Sequence, residues 1–399
     1  MTTTETSGSK ERTSDLPTAF NEPPGRNQIL IGDVRTTLNR LADNSVDTVI
    51  TSPPYFRLRN YQDVNQIGLE TYVDGWVDEL LLIVRGLKRV LKPTGSLWLN
   101  LGDTFSRSAP EGAAPKSLLL GPERLALAMV KDGWTLRNKV IWAKPNPMPT
   151  SVKDRLSCTW EVIYFFTHSK HYYFDLDGIR VPHRANTRQG RKPGSHHRKA
   201  WSVPAQWWGP SARSHGGLDR LKASGLPGHP LGKNPGDVWS IPTAGYRGAH
   251  HAVYPKRVVE RPLLATCPLK VCAGCGVPWK RDPSTSSRYF GKVAEVRRRC
   301  SCERRVGTRP GLVLDPFMGS GTTAIVAERH GRDWLGVELN PAFAAQANMR
   351  IATARTDRAW PSTQSKRQPT TPHHARQRTS TNRKEDNHER TGSANARSE

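Results

Sequence analysis

Residues 311–340, GLVLDPFMGSGTTAIVAERHGRDWLGVELN, restrict the fold more tightly than any other stretch of the chain. An apolar run breaks at Asp315-Pro316 and passes through a turn carrying Gly319 and Gly321. A helical stretch begins near Thr322, and a second apolar run ends in the acid Glu338. Strand, glycine turn, helix and strand form a parallel unit, which needs further strands and helices to cover it. The glycines let the backbone come close to a ligand at the start of the helix. Two familiar versions of this unit are disfavoured. No Lys follows Gly321, as a phosphate-cradling loop requires, and Asp315-Pro316 occupies the place where a dehydrogenase fingerprint needs glycine.

The remainder of the ordered-looking chain repeats the alternation. Residues 29–31 form a short strand, 36–41 a helical stretch, and 46–51 a buried strand. Trp76, Val77, Leu80, Leu81, Val84, Leu87 and Leu91 recur at helical spacing and stop before Pro93-Thr94-Gly95. Strands follow at 96–103, 134–146 and 160–169, with a helix at 121–134. This predicts an α/β fold, Rossmann-like and doubly wound, on a mostly parallel sheet. In such sheets functional groups gather outside the carboxyl ends of the strands.

The strand at 46–51 ends abruptly in Ser52-Pro53-Pro54-Tyr55. A residue before proline is held extended, and neither proline has an N–H to continue a ladder. The result is a stiff ledge offering a hydroxyl, free carbonyls and an aromatic face. An ordinary proline-rich turn has the same composition, so the ledge alone does not settle its use. Charge adds a second constraint: 60 Lys plus Arg against 35 Asp plus Glu give +25, which calls for a polyanionic partner, nucleic acid first.

Taken together, these two motifs resemble the amino-group DNA methyltransferases that use S-adenosylmethionine. In that family a Ser/Asp/Asn-Pro-Pro-Tyr/Phe motif is catalytic and an Asp-Pro-Phe-x-Gly-x-Gly-Thr-Thr motif holds the cofactor. The catalytic motif comes first here, as in the permuted β group, and the resemblance runs from about Ile29 to Thr353. It implies a seven-stranded sheet, with Ser52, Pro53, Pro54 and Tyr55 catalytic. It also implies that Asp315, Pro316, Phe317, Gly319, Gly321 and Thr322 line the cofactor, that Glu338 takes its ribose, and that Asp33 approaches its adenine end. The alternative for Asp33 is a helix N-cap or turn residue. The segment 250–263 resembles the one that closes over the methionine end. A serine first in the motif favours cytosine N(4) in double-stranded DNA as the acceptor, with adenine N(6) the alternative. A non-catalytic zinc-ribbon DNA-binding regulator is the competing reading from another class. The first residues are polar with no apolar h-region, and the longest apolar stretch, around Leu80 to Val84, ends at Arg85, so a cytoplasmic protein with no membrane partner is expected. The resemblance adds a nucleoid-associated monomer or homodimer with a cognate restriction endonuclease as a candidate partner.

Six cysteines suit thiols or metal ligands better than a disulfide framework. Cys272-x-x-Cys275-Gly is a zinc knuckle by spacing, and Cys300-x-Cys302 completes a four-thiolate set for structural zinc, with Cys267 in reserve. The Cys-x-Cys pair is tighter than usual, and free or redox-active thiols remain the alternative. Cys158 is expected to be a buried thiol packing as a small hydrophobe. The expected organisation is a disordered terminus (1–26), a methyltransferase domain (27–353) and a disordered basic tail (354–399). Inside the domain lie a basic target-recognition insert (181–233), with Trp201, Trp207 and Trp208, and a cysteine-rich ribbon (266–305).

Overall fold

A computed structural model of the chain describes residues 25–61, 63, 65–183, 229, 231–245, 253–282, 296–303 and 306–357. The expectations for 1–24, for 184–228 with its three tryptophans, and for 358–399 lie outside these residues.

The strands are β1 (Gln28–Ile31), β2 (Val46–Thr51), β3 (Leu91–Leu101), β4 (Thr135–Ala143), β5 (Trp160–Thr167), β6 (Val238–Ser240), β7 (Val271–Cys272), β8 (Lys280–Arg281), β9 (Val296–Arg297), β10 (Thr308–Arg309), β11 (Leu312–Asp315) and β12 (Asp333–Glu338). The helices are α1 (Val34–Thr37), α2 (Val73–Val90), α3 (Gly121–Lys131), α4 (Leu176–Ile179), α5 (Lys256–Thr266), α6 (Thr322–Arg329) and α7 (Pro341–Thr356).

Among the described residues eight strands form one sheet, in the order β1-β12-β11-β2-β3-β5-β4-β6. The neighbours are parallel except at β5, which runs against both β3 and β4. The count exceeds the implied seven by β6, a three-residue edge strand beside β4. Its place is held by Trp142 Nε1, which donates to Ile241 O at 2.7 Å.

Strand side chains alternate between the two faces. Leu312, Leu314, Leu335 and Val337 join α1, α2 and α3 in one core, and Val313 and Trp334 join α5, α6 and α7 in the other. Strand β2 is buried along its whole length, as a central parallel strand covered on both faces must be. The helical spacing at 76–87 matches α2, whose Trp76, Val77, Leu80, Val84 and Leu87 are all buried.

Two local expectations need correction. The helical stretch expected at 36–41 begins earlier and is shorter: α1 covers Val34–Thr37, then a 3-10 turn runs Leu38–Arg40, because Asp33 caps the helix by accepting from Arg35 N at 2.7 Å. Pro93-Thr94-Gly95 does not separate helix from strand, since β3 starts at Leu91 directly after α2. Gly95 permits this: a Cβ there would sit 2.6 Å from Leu91 Cγ and 3.0 Å from Asp47 O.

Lys92 is recruited into β3 by a buried ion pair. Its Nζ lies 2.6 Å from Asp47 Oδ1, and Asp47 Oδ2 accepts from Leu312 N at 2.9 Å, joining β2, β3 and β11. Removing one partner strands the other charge in the core. Lys92→Met is therefore expected to lose about 3–5 kcal/mol of stability in urea denaturation. A loss under about 1 kcal/mol, the scale of an exposed pair, would show that the site admits water.

Candidate active site

The carboxyl edge of the sheet opens into a cavity of about 540 Å³. Strand β2 delivers Ser52, Pro53, Pro54 and Tyr55 to its wall, β11 delivers Pro316, Phe317 and Gly319, and β12 delivers Glu338. Thr322 and Asp33 complete the set of expected residues on this wall. Motifs more than 250 positions apart in sequence thus face one space, because β2 and β11 are paired neighbours.

Two expected residues stand behind the wall rather than on it. Asp315 is fully buried and accepts from Thr51 Oγ1 (2.7 Å), Thr323 Oγ1 (2.6 Å), Tyr254 OH (2.9 Å) and Phe317 N (3.2 Å). Burial pushes its carboxyl up to about 6, against the four hydrogen bonds that favour the anion. It ties the end of β2, the segment before α5 and the first turn of α6 to the glycine turn. Gly321, in the left-handed region at φ 75°, precedes α6, and a Cβ there would press on Ile351 and Ala347 of α7.

Glu338 accepts from Gly319 N at 2.8 Å and Asn340 N at 3.1 Å, and burial raises its carboxyl above the usual range. These contacts leave lone pairs for a ligand diol. Asp33 is both helix cap and cavity residue. Burial raises its carboxyl, but the Arg35 guanidinium and N–H outweigh this and hold it below the usual carboxylate value.

The Ser-Pro-Pro-Tyr turn is braced from several sides. Trp76 Nε1 donates to Pro54 O at 2.9 Å, and the Tyr55 ring lies against Gly102, where a Cβ would sit 2.6 Å from its Cε2. Tyr55 OH donates to Glu161 Oε2 at 2.7 Å and accepts from Asn100 Nδ2 at 2.7 Å. Ser52 Oγ lies 3.2 Å from Tyr55 OH, and Lys144 pairs with Glu161 Oε1. Burial first, then the Glu161 charge, holds the Tyr55 phenol well above its ordinary range.

Sequence reasoning missed Asn100, Lys144, Glu161, Tyr254 and Arg350. Arg350 of α7 clamps the glycine turn by donating to Ser320 O (2.6 Å), Ser320 Oγ (2.9 Å) and Thr322 Oγ1 (2.9 Å). These residues carry no spacing signal: Asn100, Lys144, Glu161 and Tyr254 stood in segments already read as strands or as resembling the family, but nothing local marked them out, and Arg350 stood in none of these. Cys158 departs from expectation: it is exposed and borders the cavity rather than packing in the core.

The cysteine region forms two small antiparallel ribbons, β7 with β10 and β8 with β9. The sulfurs of Cys272, Cys275, Cys300 and Cys302 all lie within 4.8 Å of one another. Gly276, at φ 69°, makes the turn after Cys275 and donates its N–H to Cys272 O at 3.0 Å. Arg298 Nε, 3.3 Å from Cys300 Sγ, helps hold that thiol down to about 6. Cys267 is outside the cluster, buried against Gly311.

A doubly wound, mostly parallel sheet whose carboxyl edge joins a glycine turn and strand-end acid to a Ser-Pro-Pro-Tyr ledge defines a Rossmann-like methyltransferase. Residues 46–349 match the DNA methylase family N6_N4_Mtase, and the chain belongs to it. The Type II methyltransferase M.SfiI of Streptomyces fimbriatus is 31% identical, over 78% of this chain and 88% of that protein. M.SmaI of Serratia marcescens is 30% identical, over 82% and 91% respectively. Among solved structures, the PvuII DNA methyltransferase (cytosine-N4-specific) aligns over 84% of this chain and 95% of its own with a TM-score of 0.49 and 17% identity.

Proposed function

We propose that this DNA methyltransferase moves the methyl group of S-adenosylmethionine to the N(4) amino group of cytosine in double-stranded DNA. The observation that carries the reading is that one cavity is lined by both the Ser-Pro-Pro-Tyr turn and the glycine turn with its acid. Its size, about 540 Å³, is within the range of small-molecule sites. The residues suit the cofactor: Glu338 for the ribose hydroxyls, Phe317 and Gly319 beside it, Asp33 toward the adenine, with Asp315, Gly321 and Thr322 shaping the turn. When bound, the cofactor supplies a sulfonium methyl group.

The rest is done by the chain's own groups. An exocyclic amino nitrogen is conjugated with its ring and is a poor nucleophile. Ser52 Oγ and Pro53 O, accepting its two hydrogens, favour a pyramidal nitrogen with its lone pair exposed. Positioning and a preorganised polar wall then do most of the work. The base reaches the cavity by leaving the duplex stack, and Tyr55 supports it there. Serine as the first residue of the motif supports cytosine. The basic insert is the candidate target reader; its ends are held together, Val181 N donating to Lys233 O at 3.0 Å and Lys233 N to Val181 O at 2.8 Å. Its relatives' description as Type II methyltransferases supports a partner endonuclease of the same specificity. No helix among the described residues is long and apolar enough to cross a membrane, and a place beside the nucleoid follows from the substrate.

Incubation with tritiated S-adenosylmethionine and unmethylated genomic DNA, followed by nucleoside analysis, tests the reading. Label in N(4)-methylcytosine supports it, and label in N(6)-methyladenine keeps the chemistry but replaces the base. Cofactor binding without label would favour the non-catalytic regulator.

The four-cysteine cluster supports one structural zinc ion, since thiolates about 2.3 Å from a tetrahedral centre lie within such a span. Elemental analysis of the purified chain is expected to find one zinc per chain, lost in Cys272→Ser. A metal-free wild type would leave the cysteines as thiols.

A further inference from the structure

Glu161 is the second residue of β5. Because β5 runs against its neighbours, that end lies at the carboxyl edge of the sheet, on the cavity wall. Its Oε2 accepts from Tyr55 OH at 2.7 Å. A phenol has one hydrogen, so its oxygen accepts at every other contact. Asn100 Nδ2 donates to it at 2.7 Å, and Ser52 Oγ, 3.2 Å away, is then the donor as well. With its own hydrogen turned toward Tyr55, Ser52 presents lone pairs elsewhere. The two Asn100 amide hydrogens make their shortest contacts with Tyr55 OH and with Glu161 Oε2 at 2.8 Å, so the longer bond to Ser52 Oγ at 3.3 Å takes at most one of its two lone pairs and leaves the oxygen an acceptor on the cavity wall. The polarity of the hydroxyl chain is thus set at its far end, by the carboxylate.

We propose, given amino-group methylation at this cavity, that Glu161 orients the Ser52 and Tyr55 hydroxyls and receives through them the proton that the target amino group sheds. The nitrogen–methyl bond forms as the sulfur–methyl bond breaks, with the electron pair of the broken bond left on sulfur. The nitrogen, now positive, gives one hydrogen as a proton to Ser52 Oγ. The Ser52 hydrogen passes to Tyr55, and the Tyr55 hydrogen passes to Glu161. The sulfonium charge and the carboxylate charge disappear together, so no net charge is created in the half-buried site. Glu161 and its ion-pair partner Lys144 are 16% and 18% exposed, which gives the proton a way out to water. Acting on the amino group only through Tyr55 and Ser52, Glu161 is a positioning residue and the terminal acceptor of the relay.

The test uses the full chain saturated with tritiated S-adenosylmethionine and mixed with unmethylated genomic DNA in single-turnover mode. Glu161→Gln keeps the size of the side chain, removes the charge and offers Tyr55 a donor that can reverse the hydroxyl chain. It is expected to slow methyl transfer roughly 100-fold or more with cofactor affinity retained, and Glu161→Asp is expected to recover part of the loss. Tyr55→Phe, which keeps the ring and deletes only the relay hydroxyl, is expected to show a similar loss. The double variant should be no slower than either single one. Wild type is expected to slow in deuterium oxide, and Tyr55→Phe to lose that sensitivity. Glu161→Gln or Tyr55→Phe acting at the wild-type rate with an unchanged solvent isotope effect overturns the relay. A wild type that binds cofactor and leaves DNA unlabelled overturns the amino-methylation reading itself.

Discussion

Ser52→Ala is expected to slow methyl transfer about 100- to 1000-fold, the scale of deleting one preorganised hydrogen bond to a reacting group, while cofactor affinity stays intact. The alanine removes the acceptor for one amino hydrogen and the link from that hydrogen to Tyr55. It leaves the backbone of the ledge in place. Pro53 and Pro54 still restrict their own φ angles and the residues before them, and Pro54 O still accepts from Trp76. The glycine turn, Glu338 and Arg350 are untouched, so the cofactor side of the cavity is preserved. Rapid-quench labelling gives the rate and calorimetry gives the affinity. Equal rates for wild type and variant would remove Ser52 from the chemistry, and a parallel loss of affinity would make its role structural.

Asp315→Ala should act in the opposite way, on binding and stability before chemistry. Three hydroxyls, those of Thr51, Thr323 and Tyr254, lose their acceptor in a buried setting, and the glycine turn loses its tie to β2 and α6. Orphaning such a cluster costs about 3–5 kcal/mol. Cofactor affinity is expected to fall by roughly 100-fold, the equivalent of about 3 kcal/mol. Chemical denaturation and calorimetry measure the two losses separately. A variant with normal affinity would show that the turn holds its shape without this hub.

The same residue carries a pH signature. Its folded carboxyl titrates at about 6, above the ordinary 3.8, chiefly through burial. The folded state therefore holds this proton more tightly than the unfolded chain does. The stability it contributes is fully present below pH 4 and is lost as pH rises through 6. A difference of that size between folded and unfolded chain corresponds to about 3 kcal/mol. Asp315→Asn cannot titrate, so its stability relative to wild type is expected to rise between pH 4 and 6 and level off above. A constant difference across that range would place the carboxyl's folded value near its ordinary one.

Much of the site was legible in the sequence because its two motifs are local. A Ser-Pro-Pro-Tyr ledge is stiffened by its own prolines, and a glycine turn between strand and helix is written in consecutive residues. The four clustered cysteines were legible for the same reason: each close pair brings two sulfurs together over one short turn, and only the meeting of the two pairs needed the fold.

What the sequence determined by itself was therefore the alternation of strands and helices, the two motifs at strand ends and the polyanion-seeking charge. Periodicity, proline geometry and glycine freedom act over a few residues, so they are readable without neighbours. The tertiary structure decided what those motifs touch. It put β2 beside β11, so that Ser52 and Gly319 line one cavity. It set Asp315 behind the wall, moved Cys158 to the surface and added β6 to the edge. It also turned β5 against the sheet, which carries Glu161 to the edge where Asn100 and Lys144 arrive from β3 and β4. Strand direction is fixed by long-range pairing and by the packing of both faces, and no short stretch of residues contains it.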